Sequence, residues 1–150
     1  NHLPVLIRKI ISIPAGSSVA SFYYTVTNKS EEVLDTIFGI DFVFTLLAGD
    51  NPDRHYYIPG YEDIDKRMCS KGALEGVSEV QAIDDWMASK IVYNFSHPCN
   101  LWRYPLETVS QSESGIERTY QGSAIFPNWH VYLEPGKKWA VKIDQEIFSW

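Results

Sequence analysis

Residues 101–122, LWRYPLETVSQSESGIERTYQG, mix rings, carboxylates, a guanidinium pair and hydroxyls in one run. Two kinds of chemistry use such a mixture. A pyranose ring has an apolar C–H face and a rim of hydroxyls, so its site joins flat aromatic side chains to hydrogen-bonding ones. Trp102 and Tyr104 supply rings, Gln121 and Glu117 a polar rim, and Trp129 a further ring downstream. Glycosidic hydrolysis instead needs two carboxylates about 5 to 9 Å apart across a cleft, one held protonated. Glu107, Glu113 and Glu117 are close enough in sequence for that spacing, yet a single small β-domain offers no deep cleft around them. The expectation for this chain is therefore binding or structure rather than catalysis, with no catalytic residue assigned.

Reading the stretch as a hairpin makes these roles testable. Strands Leu101 to Ser110 and Gly115 to Ala124 would be joined by the four residues 111–114. Pairing Val109 with Ile116 places Glu107 opposite Arg118 on the face that also holds Leu101 and Tyr120. The other face then carries Trp102, Tyr104, Leu106 and Thr108 opposite Ser123, Gln121, Thr119 and Glu117. Arg103, Glu107, Glu113, Arg118 and Tyr120 are expected to be structural, and core or inter-sheet packing is the plain alternative for Trp102 and Tyr104.

The surrounding chain repeats with a period of two. Val5, Ile7, Ile11 and Ile13 share a face interrupted by Lys9, and Phe22, Tyr24 and Val26 alternate with Tyr23, Thr25 and Thr27. Thr36 to Ala48 reads as one strand, with Gly39 marking a bulge or a close backbone approach. Residues 50–80, with Pro52, Pro59, Gly60, Gly72 and Gly76, read as a long surface loop with short strands. Val80 to Ser89 fits a strand better than a short helix. Ile91 to Phe95, Asn128 to Leu133 and Lys138 to Phe148 alternate again, and Glu134-Pro135-Gly136-Lys137 forms the final turn. Many strands without a long amphipathic helix predict an all-β antiparallel sandwich in one domain spanning 1–150.

Composition narrows the partners. A net charge of −6 with scattered cations argues against nucleic acid. The longest apolar run, Ile37 to Ala48, is broken by Asp41 and Thr45 and is shorter than the roughly 18 residues of a membrane helix. His2, His55, His97 and His130 lack ligand spacing, so neither metal nor cofactor is expected. Asp50, Asn51 and Asp53 suit an Asx turn better than a calcium loop. Cys69 and Cys99 permit one disulfide, but two reduced thiols are preferred, which points to the cytoplasm.

The residues from Leu101 to Ile143 also resemble a known family. Trp102-Arg103, Pro105, the run Glu107 to Ser110, Ser112-Glu113, Gly115, Glu117, Tyr120-Gln121-Gly122, Trp129 and Pro135-Gly136 are similar to the end of a C-terminal β-domain. That domain occurs in α-amylase and 4-α-glucanotransferase-like enzymes of glycoside hydrolase family 57. YTVTN at 24–28 and FGIDFVF at 38–44 resemble its opening strands. The resemblance implies a galactose mutarotase-like supersandwich, of which this chain is shorter than the whole, and catalytic carboxylates on a preceding (β/α) barrel.

Three functions follow as expectations. The first is a non-catalytic domain at the C-terminal end of a larger α-glucan-processing enzyme, packed on that barrel and contacting glucan at its edge. The second is an autonomous carbohydrate-binding module with Trp102, Tyr104, Trp129 or Trp86 as ring platform. The third is a small mutarotase-like enzyme pairing Glu117 with His97 or His130.

Overall fold

The computed structural model describes residues 2–112 and 115–150. Among them are nine strands and no helix: β1 (Val5–Ser12), β2 (Val19–Asn28), β3 (Leu34–Gly39), β4 (Phe42–Phe44), β5 (Arg54–Tyr57), β6 (Gly72–Asp84), β7 (Ser89–Ser112), β8 (Gly115–Leu133) and β9 (Lys138–Ser149). Every strand pair is antiparallel. One layer runs β1-β2-β9-β7-β6-β5. β7 leaves β9 after Phe95, and from Asn100 onward it pairs with β8, which carries β3 and β4 on its other edge. Register shifts in β6 between Leu74 and Glu79, with Gly76 at φ +69°, lie beside this change of partner. Bulges of this kind bend a strand from one layer into the other.

Between the layers Tyr24, Val26, Val141 and Ile143 meet Phe42, Phe44, Ile125 and Val131 in one buried cluster. Aromatic edges knit it together: Phe22 lies 5.4 Å from Phe42, and Tyr93 lies 5.0 Å from Phe42 and 6.3 Å from Phe44. The antiparallel all-β architecture is the expected one, but several elements differ in detail. The strand expected over 36–48 is two strands, β3 and β4, because Ile40 donates its N–H to Pro127 and the chain steps between them. The residues expected as a surface loop include fully buried Tyr56, Ile58 and Met68, which belong to the same core cluster. β6 continues through Val80 to Asp84, and residues 85–88 are the turn into β7, with Ala88 in the left-handed region at φ +49°.

Candidate functional site

Alternation along β7 turns Leu101 and Arg103 into the interior and Trp102, Tyr104 and Leu106 outward. Trp102 is 45% exposed and lies on Phe126, its partner on β8, with ring centroids 5.5 Å apart and planes at 32°. Phe126 in turn sits over Gly39, where a Cβ would stand 2.2 Å from its Cζ, so only glycine admits the ring. This is the close approach expected at Gly39. The Tyr104 hydroxyl donates to Asp41 Oδ1. That bond, helped by desolvation, pushes the phenol up to about 12. Tyr104 pairs with Ala124, which pairs with Val43, so exposed Val43 extends the same face. The result is a three-strand strip of apolar rings and aliphatics rimmed by a carboxylate, suited to a pyranose face or to another protein surface.

The polar half of the expected site lies elsewhere. The hairpin register differs from the expected one: Val109 faces Arg118, and Glu107 faces Tyr120. Arg118 Nη1 still reaches Glu107 Oε2 diagonally at 3.2 Å, as an exposed structural pair. At Gln121 the strand bulges, since Leu106 pairs with Gly122 and Glu107 with Tyr120. Gln121 donates to Thr108 Oγ1 at 3.2 Å. The extra residue turns Ser123 inward, so it does not oppose Trp102. It is fully buried, donates to the Met68 carbonyl at 2.8 Å and receives the Tyr120 hydroxyl at 2.7 Å.

Glu117 pairs with Ser110 near the hairpin tip, nine residues along β8 from Phe126. At roughly 3.3 Å per residue it stands about 30 Å from the Trp102 stack. The five sugar-site candidates therefore do not converge. Trp129 requires correction as a platform: it is 6% exposed, donates Nε1 to the His97 carbonyl at 3.2 Å and packs on Phe95 and Trp139. Trp86 is exposed at the β6–β7 turn, with the Arg54 guanidinium 5.3 Å from its ring centre. Glu113 lies outside the described residues. The Glu117–histidine pairings also fail on geometry. His130 bonds Asp35 at 2.6 Å and His97 bonds Ser96 at 2.9 Å, while Glu117 sits at the opposite end of β8 from His130.

Arg103 anchors a buried polar cluster. It is 3% exposed; Nη1 donates to the Asp65 carbonyl and to Ser70 Oγ, both at 3.0 Å, and the guanidinium lies 5.0 Å from the Tyr56 ring centre. Burial lowers its pKa. It ties the 65–70 segment to β7, a long-range role that no local pattern announces. Asn51 Oδ1 accepts the Asp53 N–H at 3.1 Å, which is the Asx turn. Cys69 and Cys99 are unpaired, and burial pushes the Cys99 thiol up to about 12. Among the described residues no three His, Cys, Asp or Glu side chains gather as a metal site.

Comparison with known proteins gives this geometry a setting. The family model described as alpha-amylase/4-alpha-glucanotransferase, C-terminal, matches residues 1–143. Alpha-amylase 1 of Dictyoglomus thermophilum is 32% identical over 126 residues, which cover 84% of this chain and 18% of that protein. The alpha-amylase of Pyrococcus furiosus is 34% identical over 79 residues, 52% of this chain and 12% of that protein. The chain thus spans under a fifth of these relatives. In fold it resembles the 4-alpha-glucanotransferase from Thermococcus litoralis, with TM-score 0.66, 17% identity and coverage of 96% of this chain and 18% of that one. It also resembles a putative aldose 1-epimerase from Escherichia coli, with TM-score 0.75, 10% identity and coverage of 99% and 62%. The sandwich is thus of the mutarotase-like kind.

Proposed function

This chain belongs to the alpha-amylase/4-alpha-glucanotransferase C-terminal family, and from that membership we propose that it is the non-catalytic accessory β-sandwich of a longer α-glucan-processing enzyme. The parent would be an α-amylase or 4-α-glucanotransferase of family 57, with its catalytic groups on a separate barrel against which this domain packs. One observation carries the reading: the Trp102–Phe126–Tyr104–Val43 strip turns rings and an aliphatic side chain outward on one continuous face. A surface of that kind marks a contact face rather than a reaction centre. The unpaired thiols support a cytoplasmic enzyme.

The test is Trp102→Ala in the longer polypeptide. Turnover on a long α-glucan is expected to stay within about tenfold while the thermal midpoint falls, since the lost contact is between domains. Abolished turnover with an unchanged midpoint would contradict a non-catalytic role.

A second reading, an autonomous module for α-glucans, is favoured by the Trp102–Phe126 stack beside Asp41 and the Tyr104 hydroxyl. It requires saturable calorimetric binding of maltoheptaose to residues 1–150, lost in Trp102→Ala.

A further inference from the structure

β1 is the anomaly of the fold. All eight of its residues are exposed, although five of them are Val, Leu or Ile. Among the described residues it pairs with β2 alone, so its other edge offers unpaired backbone donors and acceptors. Val5, Ile7, Lys9 and Ile11 lie opposite Asn28, Val26, Tyr24 and Phe22, on the interior side of the layer. The second layer ends over β2, where Phe38 covers Tyr24 and Phe42 covers Phe22, and leaves that row of β1 bare.

The outward side of β1 is different. Arg8 converges there with Lys29 and Lys138 on a groove of about 530 Å³, together with Leu6, Thr25 and Thr27. Arg54, Arg67, Arg118 and Lys142 each have a carboxylate partner, but no ion pair among the described residues involves Arg8, Lys29 or Lys138. In a chain of net charge −6 this is a local excess of positive charge.

A second copy of β1 is a poor occupant. Antiparallel pairing about its centre sets Arg8 against Lys9, or each cation against itself, and like charges directly opposite are destabilising. The mutarotase-like fold has room for more chain, since this one covers 62% of the Escherichia coli neighbour while being 99% covered itself.

We propose that β1 takes, as its missing neighbour, a further β-segment of the longer polypeptide, with apolar side chains beside Ile7 and Ile11 and a carboxylate facing the Arg8–Lys29–Lys138 groove. The inference rests on the reading of this chain as one domain of a longer enzyme. Strand addition satisfies the free edge, the alternate apolar residues bury the bare row, and the carboxylate neutralises the groove.

The experiment is amide hydrogen exchange of β1 in residues 1–150 and in the longer polypeptide. The edge amides are expected to exchange at least about a hundredfold more slowly in the longer chain, and Arg8→Glu or Lys138→Glu to reduce that protection about tenfold or more. Equal exchange in the two chains would overturn the proposal. Protection indifferent to both charge reversals would overturn its acidic element. Light scattering that shows residues 1–150 as a dimer with β1 protected would assign the edge to a second copy and overturn it also. The accessory reading has its own readout, glucan turnover by the longer chain, so the two can fail separately.

Discussion

Trp102 on β7 and Phe126 on β8 stand directly opposite one another, 5.5 Å between ring centres, with Trp102 half open to solvent and Phe126 filling the gap above Gly39. The pair is a stepped stack: the lower ring is fixed by backbone, and the upper ring is offered outward. A surface tryptophan held in this way loses little rotamer freedom on contact, which favours a docking or sugar-facing role.

Gly39→Ala is expected to destabilise residues 1–150 by about 1 to 3 kcal/mol, because the added methyl displaces Phe126 and, through it, Trp102. Trp102→Ala, which removes a half-exposed ring, should cost less. Urea denaturation followed by far-ultraviolet circular dichroism orders the two; the reverse order would contradict the stepped stack.

Arg103→Met keeps the stem packed but abandons the Asp65 carbonyl and Ser70 Oγ. The loss of charge-assisted bonds in a buried setting is expected to cost about 3 kcal/mol. Faster proteolysis between Asp65 and Ser70 should accompany it. A variant as stable as the parent would remove Arg103 from its structural role.

Glu107→Gln should change stability by less than about 0.5 kcal/mol, since its diagonal partner Arg118 is exposed. In the longer enzyme, glucan turnover should be unchanged. A large fall in turnover would return Glu107 to the catalytic candidates.

The domain should be alkali-sensitive. Burial raises the Tyr56 phenol to about 12, and the bond to Asp41 raises Tyr104 to about 12. Cys99 is raised by burial to about 12 from an ordinary value near 9. For each, the folded state holds a proton that the unfolded chain releases earlier. Their stabilisation is thus complete below about pH 9 and is lost progressively as pH rises toward 12. Tyr56→Phe and Cys99→Ala should each flatten that decline in a denaturant series taken across this window.

Period-two alternation exposed the strand content because it reports which face a residue takes, and β1, β2 and β9 depend on little else. Gly39 was legible for a similar reason, as a missing side chain inside a strand. The hairpin register was not. Beyond the bulge the true pairing differs from the expected one by two residues, a slip that leaves every side chain on its face and is invisible to alternation. Glu107 and Arg118 remain in contact for that reason, diagonally. The single extra residue at Gln121 then reverses the faces nearer Trp102, which sends Ser123 into the core and brings Phe126 beside the indole. Trp129 was misleading because burial of an indole depends on the partner layer, here Phe95 and Trp139, which its own strand does not reveal. Arg103 and Met68 belong to contacts over more than thirty residues of sequence, where local pattern carries no signal.

The contact between this domain and its enzyme is measured most directly by calorimetric titration of residues 1–150 into the separately expressed catalytic portion of the longer polypeptide. Saturable binding that is abolished or weakened at least about tenfold by Trp102→Ala, with the fold of the variant intact, is the predicted result. Absence of binding, or binding indifferent to Trp102, would contradict the assignment of this face as the contact between the accessory domain and its enzyme.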